Sequence, residues 1–360
     1  MRMLITLDYP PDRGGIQHYL YSIVQHHYTK NDIVLTTAPP KEKVTHLTPS
    51  PARILRIGAG SHKTGRKWRI VLSIVVALYR LRQTVKGITL IECGNIYAAV
   101  PVWFTRILHR KPYRVYTYGT ELLALPAPGF KNAFLRRVLS KAEIIYSLGS
   151  YTESLVRACG IRRPVEHRPP WISLSGTLCH GKARRDRYEV LTVGRLVQHK
   201  KHRDLLAAIS LLVPSKPWSV IIVGEGPQRS GLTRSSEILH LSSRVTLTGE
   251  ISDNEKAYLY RRAGIFALTS METPEGTEGF GIVLLEAMVH RIPIVAYATG
   301  EIPRILGNGT CGLLVPPGDI IGLSKALSSI QTRRRETLRR VHNAYDRVSS
   351  VYSRATDRAA

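Results

Sequence analysis

The sequence is poor in cysteine, with four in 360 residues, and none of them forms a Cys-x-x-Cys pair. They stand far apart, at Cys93, Cys159, Cys179 and Cys311. This spacing argues against a metal site and a disulfide framework, so we expect reduced thiols. Long apolar runs are also lacking, since the longest, 70–79, is about half of the roughly 20 residues that a membrane-spanning helix needs. We therefore predict no transmembrane helix and no bound metal.

Acidic residues are scarce: 26 Asp and Glu stand against 52 Lys and Arg, which gives a formal net charge of +26. Such a charge attracts polyanions, either nucleic acid or an anionic lipid surface. The basic residues are spread along the chain, and the sequence has no zinc-finger spacing, RNA-recognition signature or clear helix-turn-helix. We therefore prefer a membrane surface as the partner and expect no nucleic acid.

The apolar stretch at the start of the sequence is too short for a signal sequence, because it stops at Asp8 and Pro10. We expect it to form a first strand of a cytoplasmic protein that contacts the inner face of the membrane. The basic segment 63–82 surrounds the longest apolar run. For it we favour a buried crossover helix over an interfacial helix at the membrane.

Short runs rich in β-branched residues alternate with longer segments of helical period, as in a parallel sheet that helices cover on both faces. The predicted strands are 4–7, 33–36, 88–91, 114–117, 144–147, 165–167, 190–193, 220–223, 245–248, 265–268, 294–296 and 313–315. The predicted fold class is α/β, with two doubly wound, Rossmann-like domains facing across a cleft. Functional residues should lie in the loops that follow the strands.

A polar, basic stretch after Pro169-Pro170-Trp171 divides the chain. We predict a first domain over 1–170, a linker over 171–187 and a second domain over 188–331. The remaining residues, 332–360, form a basic helix that either packs back on the first domain or is solvated.

Gly14 and Gly15 follow the first predicted strand and precede a helix that we place from about Gln17. Glycine lets the backbone approach a phosphate at the positive end of a helix, so the pair is a candidate phosphate site. An ordinary strand-to-helix turn explains the pair equally well.

In the second half, the first strand is followed by Gly194-Arg195-Leu196 and then by Lys200. Arg195 offers a forked pair of donors and Lys200 a mobile point charge, which are complementary ways of holding a diphosphate. A solvated basic loop is the alternative. We interpret the next turn, Gly224-Glu225-Gly226-Pro227, as architecture rather than catalysis.

The richest pattern is the segment 278–288, Glu-Gly-Phe-Gly-Ile-Val-Leu-Leu-Glu-Ala-Met. Its apolar spacing predicts a helix, and Gly281 at the start leaves backbone N–H groups that suit a phosphate oxygen. Glu278 and Glu286 lie at different depths along a ligand, so a ribose and a sugar can each take one carboxylate. For Glu286 the alternative is a structural carboxylate on an ordinary helix.

These motifs occur along the chain in the order Gly14-Gly15, Gly194-Arg195-Leu196 with Lys200, Gly224-Glu225-Gly226-Pro227 and Glu278-x7-Glu286. In this order and spacing they resemble the retaining glycosyltransferases of family 4, or glycosyl transferases group 1. The resemblance extends to 311–319 and covers nearly the whole chain. It implies the GT-B fold, with an acceptor-side first domain and a nucleotide-sugar-binding second domain.

The resemblance also implies roles for single residues. Arg195 and Lys200 bind the donor diphosphate and stabilise the departing nucleotide, Glu286 binds the ribose, and no metal cofactor is required. The implied catalytic residues are Arg195, Lys200, Glu278 and Tyr118. The implied donor-binding residues are Gly14, Gly15, Arg195, Lys200, Gly281, Ile282, Val283 and Glu286.

Within the family, the segments 8–17 and 278–283 look most similar to phosphatidylinositol-mannoside mannosyltransferases, whose donor is GDP-mannose. The chain departs from the family at Tyr118, where members usually have a histidine that contacts the donor sugar, and at Arg304, where glutamate is common. Tyr118 still donates a hydrogen bond but takes up no proton near neutral pH. The departures leave the identity of the sugar open.

The leading hypothesis is retaining transfer of a hexose, preferably mannose, from GDP-mannose or a UDP-sugar to a lipid-linked or glycan hydroxyl, as in glycan or lipopolysaccharide biosynthesis. The route expected from the resemblance is front-face attack, in which the leaving phosphate takes the acceptor proton. Two alternatives stay open. One is a nucleotide-sugar epimerase of the same fold, and the other is a non-catalytic polyanion-binding protein.

Overall fold

Two compact units, Met1–Arg168 and Pro169–Ala360, make up the computed structural model. Each unit is built on one parallel β-sheet. The residues that the structure describes are 1–10, 12, 14–36, 49–57, 67–80, 87–174, 185–212 and 216–353. Cys179 and most of the predicted linker lie outside them.

The first unit contains a parallel sheet of seven strands within the described residues. Its strands are β1 (Arg2–Thr6), β2 (Ile33–Thr36), β3 (Arg53–Arg56), β4 (Leu90–Cys93), β5 (Tyr113–Thr117), β6 (Ile144–Ser147) and β7 (Val165–His167). Its helices are α1 (Gly15–His27), α2 (Lys67–Arg80), α3 (Ile96–His109), α4 (Thr120–Leu123), α5 (Phe130–Leu139) and α6 (Ser150–Ala158). The strand order β3-β2-β1-β4-β5-β6-β7 reverses at β1, so the loops after β1 and β4 lie side by side.

The second unit contains six described strands in the order β10-β9-β8-β11-β12-β13. Its strands are β8 (Asp186–Val193), β9 (Ser219–Val223), β10 (Val245–Gly249), β11 (Ala263–Leu268), β12 (Ile294–Tyr297) and β13 (Leu313–Val315). Its helices are α7 (His202–Ser210), α8 (Arg229–Ile238), α9 (Asp253–Arg262), α10 (Ile282–Val289), α11 (Ile302–Ile305), α12 (Ile320–Thr332) and α13 (Arg334–Val351). The sheet reverses at β8, which pairs with both β9 and β11.

All the predicted strands are present, with ends displaced by a few residues, and the predicted α/β fold class is confirmed. The central strands are apolar on both faces: every residue of β11 is buried, as expected for a sheet covered by helices. The prediction missed β3, Arg-Ile-Leu-Arg. This strand lies at the sheet edge, is partly exposed and has only two apolar residues, so its sequence carries little strand signal.

The helix predicted in the segment 63–82 is α2, which packs against α3. It buries Ile74, Ala77 and Leu78, as a crossover helix should. Its opposite side exposes apolar residues, including Leu72 and Tyr79, so the helix is only partly covered.

Two domain boundaries differ from the prediction. The first unit ends at Arg168, and β8 begins at Asp186, inside the predicted linker. Asp186 is polar but pairs with Ala263 of β11, a contact that its residue type does not reveal.

The terminal helix α13 packs against α10 of the second unit, and Arg347 Nε donates to the Ile305 carbonyl at 2.9 Å. Packing of this helix on the first domain stays a prediction.

No described helix is both long enough and apolar enough to cross a bilayer. Cys93, Cys159 and Cys311 are buried free thiols. The described residues contain no cluster of three or more side chains that would suit a metal ion.

We predict that Gly224→Ala destabilises the second unit. A Cβ at this position would lie 2.9 Å from the carbonyl carbon of Gly194 and closer still to its oxygen, and the residue has a φ of 134°. Overpacking costs about 1–3 kcal/mol, in addition to about 1–2 kcal/mol for the backbone conformation. Denaturant unfolding measures the loss.

The matched control is Gly318→Ala, where φ is also positive but nothing lies within 4 Å of the added Cβ. This variant should lose only the stability that the backbone conformation costs. Equal losses in the two variants would contradict a steric role for the approach of Gly224 to Gly194.

Candidate active site

The loop after β8 carries the first part of the site. After Gly194-Arg195-Leu196, a short 3₁₀ turn over Gln198–Lys200 leads into α7. The side chain of Lys200 folds back over Gly194, so that a Cβ on this glycine would lie 3.4 Å from Lys200 Cε. The lysine side chain therefore lies in van der Waals range of position 194.

Lys200 forms an ion pair with Glu278, since Lys200 Nζ donates to Glu278 Oε2. Ser270 Oγ donates to the same oxygen at 3.0 Å. The two charged side chains are only 13% and 12% exposed, so the pair is largely shielded from water. Glu278 Oε1 has no hydrogen-bond partner among the described residues and remains for a ligand.

The two loops that carry this pair are tied together through the backbone. Thr269 Oγ1 donates to the carbonyl of Lys200 at 2.9 Å, and Met271 N donates to the carbonyl of His199 at 2.7 Å. The loops follow β8 and β11, which are neighbours in the sheet. Strand order thus brings together residues that lie 78 positions apart.

Opposing effects act on the pKa of Glu278. Burial alone would raise the pKa of this carboxyl, but the charge of Lys200 and the hydrogen bonds from Lys200 and Ser270 outweigh it and lower the pKa below its ordinary value. Glu278 is therefore a carboxylate at neutral pH.

The start of α10 adjoins the ion pair. Gly281 has a φ of 92° and precedes the helix without a side-chain cap, and a Cβ on it would lie 3.7 Å from Glu278 Cγ. The first amides of the helix, including those of Ile282 and Val283, have no partner within the helix. They form a positive end suited to an anion beside Lys200 and Glu278.

Arg195 lies exposed on the same loop as Lys200. Among the described residues it forms no ion pair, in contrast to Lys200. Its guanidinium is therefore available to a bound anion without first breaking an internal contact.

Glu286 lies deeper along α10 and is held at both oxygens. Lys256 Nζ donates to Oε1 at 2.9 Å and Tyr260 OH donates to Oε2 at 2.7 Å. Burial and the nearby Glu286 carboxylate raise the pKa of Tyr260 well above its ordinary value, so its hydroxyl keeps its proton. Lys256 and Tyr260 are not among the residues predicted from the sequence. Their spacing of four residues on α9 puts them on one helix face, which was the available signal.

The remaining predicted residues, Gly14, Gly15 and Tyr118, lie in the first unit. The two glycines stand exposed at the start of α1. Tyr118 is buried, and its hydroxyl donates to the carbonyl of Gly94 at 2.6 Å. Burial raises the pKa of Tyr118 well above its ordinary value, so it is neutral. A proton-transfer role near neutral pH therefore does not suit this residue.

A polar group near Tyr118 was also missed. Asp8 accepts hydrogen bonds from Gln17 Nε2 at 3.1 Å and from Asn95 Nδ2 at 2.7 Å, and Asn95 caps the start of α3. Asp8 follows β1 and Asn95 follows β4, which are adjacent strands. The position of Asp8 directly after a strand was the signal that could have singled it out.

A doubly wound sheet with cations and an uncapped helix start at the carboxyl ends of its strands is the arrangement with which nucleotide-binding α/β domains hold phosphates. The family model described as Glycosyl transferases group 1 matches residues 180–347. The chain therefore contains a glycosyl transferases group 1 domain within its second unit, as the resemblance predicted, and the predicted GT-B fold class is confirmed.

Relatives match over nearly the full length. The GDP-mannose-dependent alpha-(1-6)-phosphatidylinositol monomannoside mannosyltransferase of Mycolicibacterium smegmatis is 28% identical over 345 residues, which is 91% of this chain and 88% of the relative. The structure of sucrose-phosphate synthase from Thermosynechococcus elongatus is similar with a TM-score of 0.81 at 19% identity, covering 99% of this chain and 96% of that one. Anabaena Alr3699/HepE in complex with UDP-glucose gives 0.80 at 19% identity, covering 100% and 97%.

We predict that Lys200→Met destabilises the protein by about 3–5 kcal/mol at neutral pH, because it leaves a buried carboxylate without its cation. In the native protein the lowered pKa of Glu278 contributes stability above the ordinary value of 4.5, and this is lost as the pH falls through the folded value. In the variant, Lys200 no longer offsets the burial of Glu278, so burial raises the pKa of this carboxyl and it takes up a proton at a higher pH than in the native protein. The difference in free energy of unfolding should therefore shrink as the pH falls from neutral toward 4.5, the ordinary pKa.

The control is the double variant Lys200→Met/Glu278→Gln, which removes both charges. It should recover part of the stability lost in the single variant when both are unfolded by denaturant. A double variant as unstable as Lys200→Met would mean that the ion pair is not the source of the loss.

Proposed function

We propose that this chain is a retaining hexosyltransferase that takes its sugar, preferably mannose, from a nucleoside-diphosphate donor such as GDP-mannose and needs no metal cofactor. One observation carries the proposal: the Lys200–Glu278 ion pair adjoins the uncapped start of α10, with Arg195 on the same loop. The acceptor is a lipid-linked or glycan hydroxyl.

The donor diphosphate lies against Arg195, Lys200 and the first amides of α10. As the bond from the anomeric carbon to the phosphate oxygen breaks, negative charge accumulates on the departing nucleoside diphosphate. Fixed cations and amide dipoles stabilise this charge without reorganising, which is a major catalytic effect. They supply the charge that a metal ion supplies in other nucleotide-sugar enzymes.

The transferred sugar contacts Glu278. Lys200 and Ser270 both bond to Oε2, so Oε1 is left to accept from a sugar hydroxyl. The ion pair fixes the carboxylate before the donor arrives, and such preorganisation reduces the cost of ordering the reacting groups. The acceptor oxygen attacks the anomeric carbon on the side from which the phosphate leaves, and its proton passes to the leaving phosphate oxygen.

Mannose is preferred because the relative from Mycolicibacterium smegmatis, which matches 91% of this chain, is named as GDP-mannose-dependent. The same name favours a lipid-linked acceptor. The net charge of +26 fits peripheral contact with the anionic inner face of a membrane, where a lipid-linked acceptor would be found.

A thermal-shift screen with GDP, UDP and ADP tests the proposal. We expect one of these nucleotides to stabilise the protein, by about 2.7 kcal/mol at 100 times its dissociation constant. The best donor of the matching base should release nucleoside diphosphate only when an acceptor is present. Release of a free epimer, or no response to any of the three nucleotides, would contradict a transferase.

Arg195→Ala should lower the turnover number about 10²–10³-fold, by analogy with the loss of one oxyanion donor, and should leave the free energy of unfolding nearly unchanged because Arg195 is exposed. The matched control is Arg234→Ala, which removes an exposed arginine of α8. If the two variants transfer sugar at the same rate, Arg195 is not part of the donor site.

In this proposal Lys256 and Tyr260 orient Glu286 toward the ribose. We expect the native protein to bind GDP about tenfold more tightly than 2′-deoxy-GDP, and Lys256→Met should bring the two affinities closer to equal. If the donor carries another base, the corresponding pair of nucleotides is compared. Calorimetric titration measures both ligands, and Lys325→Met, on the exposed side of α12, is the control. If Lys256→Met keeps the native preference, Glu286 oriented by Lys256 is not the group that binds the ribose.

A further inference from the structure

The first unit exposes a group of aromatic side chains on α3 and α5. Trp103 packs against Phe134 with ring centroids 5.4 Å apart, and Phe104 lies 5.7 Å from Phe134. Phe104 is nevertheless 48% exposed, and Phe130, one turn before Phe134 on α5, is 90% exposed. Exposed phenylalanines beside a partly covered aromatic cluster mark a surface that meets an apolar partner.

Two arginines adjoin these rings. Trp103, Phe104, Arg106 and Arg110 line an open pocket of about 710 Å³. Within the described residues neither arginine forms an ion pair. The pocket thus combines an aromatic wall with two guanidinium groups that no carboxylate of the described residues neutralises.

Arg110 holds its position at a conformational cost. It ends α3 in the left-handed region, with a φ of 48°, where glycine is the usual residue. An L-residue pays about 1–2 kcal/mol for this conformation. A cation at the carboxyl end of a helix offsets only part of that.

The surrounding sequence has a large excess of positive charge. Between Ile96 and Lys141 there are eight Lys or Arg residues and a single acidic residue, Glu121. Glu121 is turned inward, since its carboxylate accepts from the backbone N–H of Tyr118 at 2.6 Å. A partner of opposite charge is therefore favoured, and a basic protein surface is not.

We propose that Trp103, Phe104, Phe130, Arg106 and Arg110 form a docking patch that binds the surface of an anionic phospholipid bilayer. The phenylalanines enter the boundary between head groups and acyl chains, and the arginines bind lipid phosphates. This assignment rests on the membrane contact in the proposed function. The residues of the patch themselves take no part in donor binding.

Sedimentation with sucrose-loaded vesicles tests the proposal on the full chain. The vesicles contain phosphatidylcholine alone or with about one third phosphatidylglycerol, at low salt and at about 0.5 M salt. We expect binding to the anionic vesicles at low salt and much weaker binding in the other conditions. No binding of the native chain to anionic vesicles would overturn the proposal.

Two variants examine the patch itself. Arg106→Gln/Arg110→Gln should weaken binding to anionic vesicles about 25-fold, since each basic residue near such a surface contributes about fivefold. The control is Arg335→Gln/Arg339→Gln, which removes the same charge from exposed positions on α13. Equal weakening in the two pairs would mean that total charge, not the patch, determines binding.

Phe104→Ser/Phe130→Ser removes the exposed rings without changing the charge. It should weaken vesicle binding at least tenfold, whereas Leu211→Ser/Ile238→Ser, at exposed apolar positions of the second unit, should not. Vesicle binding that survives loss of the rings, or a single-stranded oligonucleotide that binds more tightly than the vesicles and displaces them, would overturn the proposal.

The thermal shift by nucleoside diphosphate is measured on every variant. A retained shift shows that the variant is folded. It also separates the two proposals: vesicle binding without any nucleotide response contradicts the transferase but not the patch, and a nucleotide response without vesicle binding contradicts only the patch.

Discussion

The ion pair between Lys200 and Glu278 is the contact on which the candidate site depends. It connects the loops that follow two neighbouring strands, β8 and β11, and both charges are shielded from water. Each charge is tolerable there only because the other is present. Since the pair is neutral as a whole, the excess positive potential for a diphosphate comes from Arg195 and from the start of α10. The ion pair holds the two side chains in place, and Arg195 and the start of α10 supply the net positive charge.

Three glycines lie in the loops around this pair. Gly194 lies beside the Lys200 side chain, Gly224 lets two loops cross in backbone contact, and Gly281 turns the chain into α10 close to Glu278. A side chain at position 224 would clash with the Gly194 carbonyl group, and a side chain at position 281 would be strained by the positive φ.

The sequence predicted the strands and the Gly-rich loops that follow them, because strand signals and Gly-rich turns are local. It could not predict from local pattern that Lys200 meets Glu278, since this depends on β8 and β11 being neighbours; only the family resemblance brought them together. Lys256, Tyr260, Asp8 and Asn95 were missed for a related reason. Each is an ordinary polar residue in sequence and becomes notable only through a partner on another element.

The positive charge of the chain is larger than a donor site needs. A nucleoside diphosphate is met by two side chains and a helix start, all in the second unit, whereas Ile96–Lys141 of the first unit holds eight basic residues against one acid. Positive charges that do not bind the donor still repel one another and destabilise the folded state. A partner that neutralises these charges reduces the repulsion. In our proposal the lipid surface relieves this repulsion. The two units then meet two different anions, one through Arg195 and the start of α10 beside a neutral ion pair, the other through arginines that form no ion pair within the described residues.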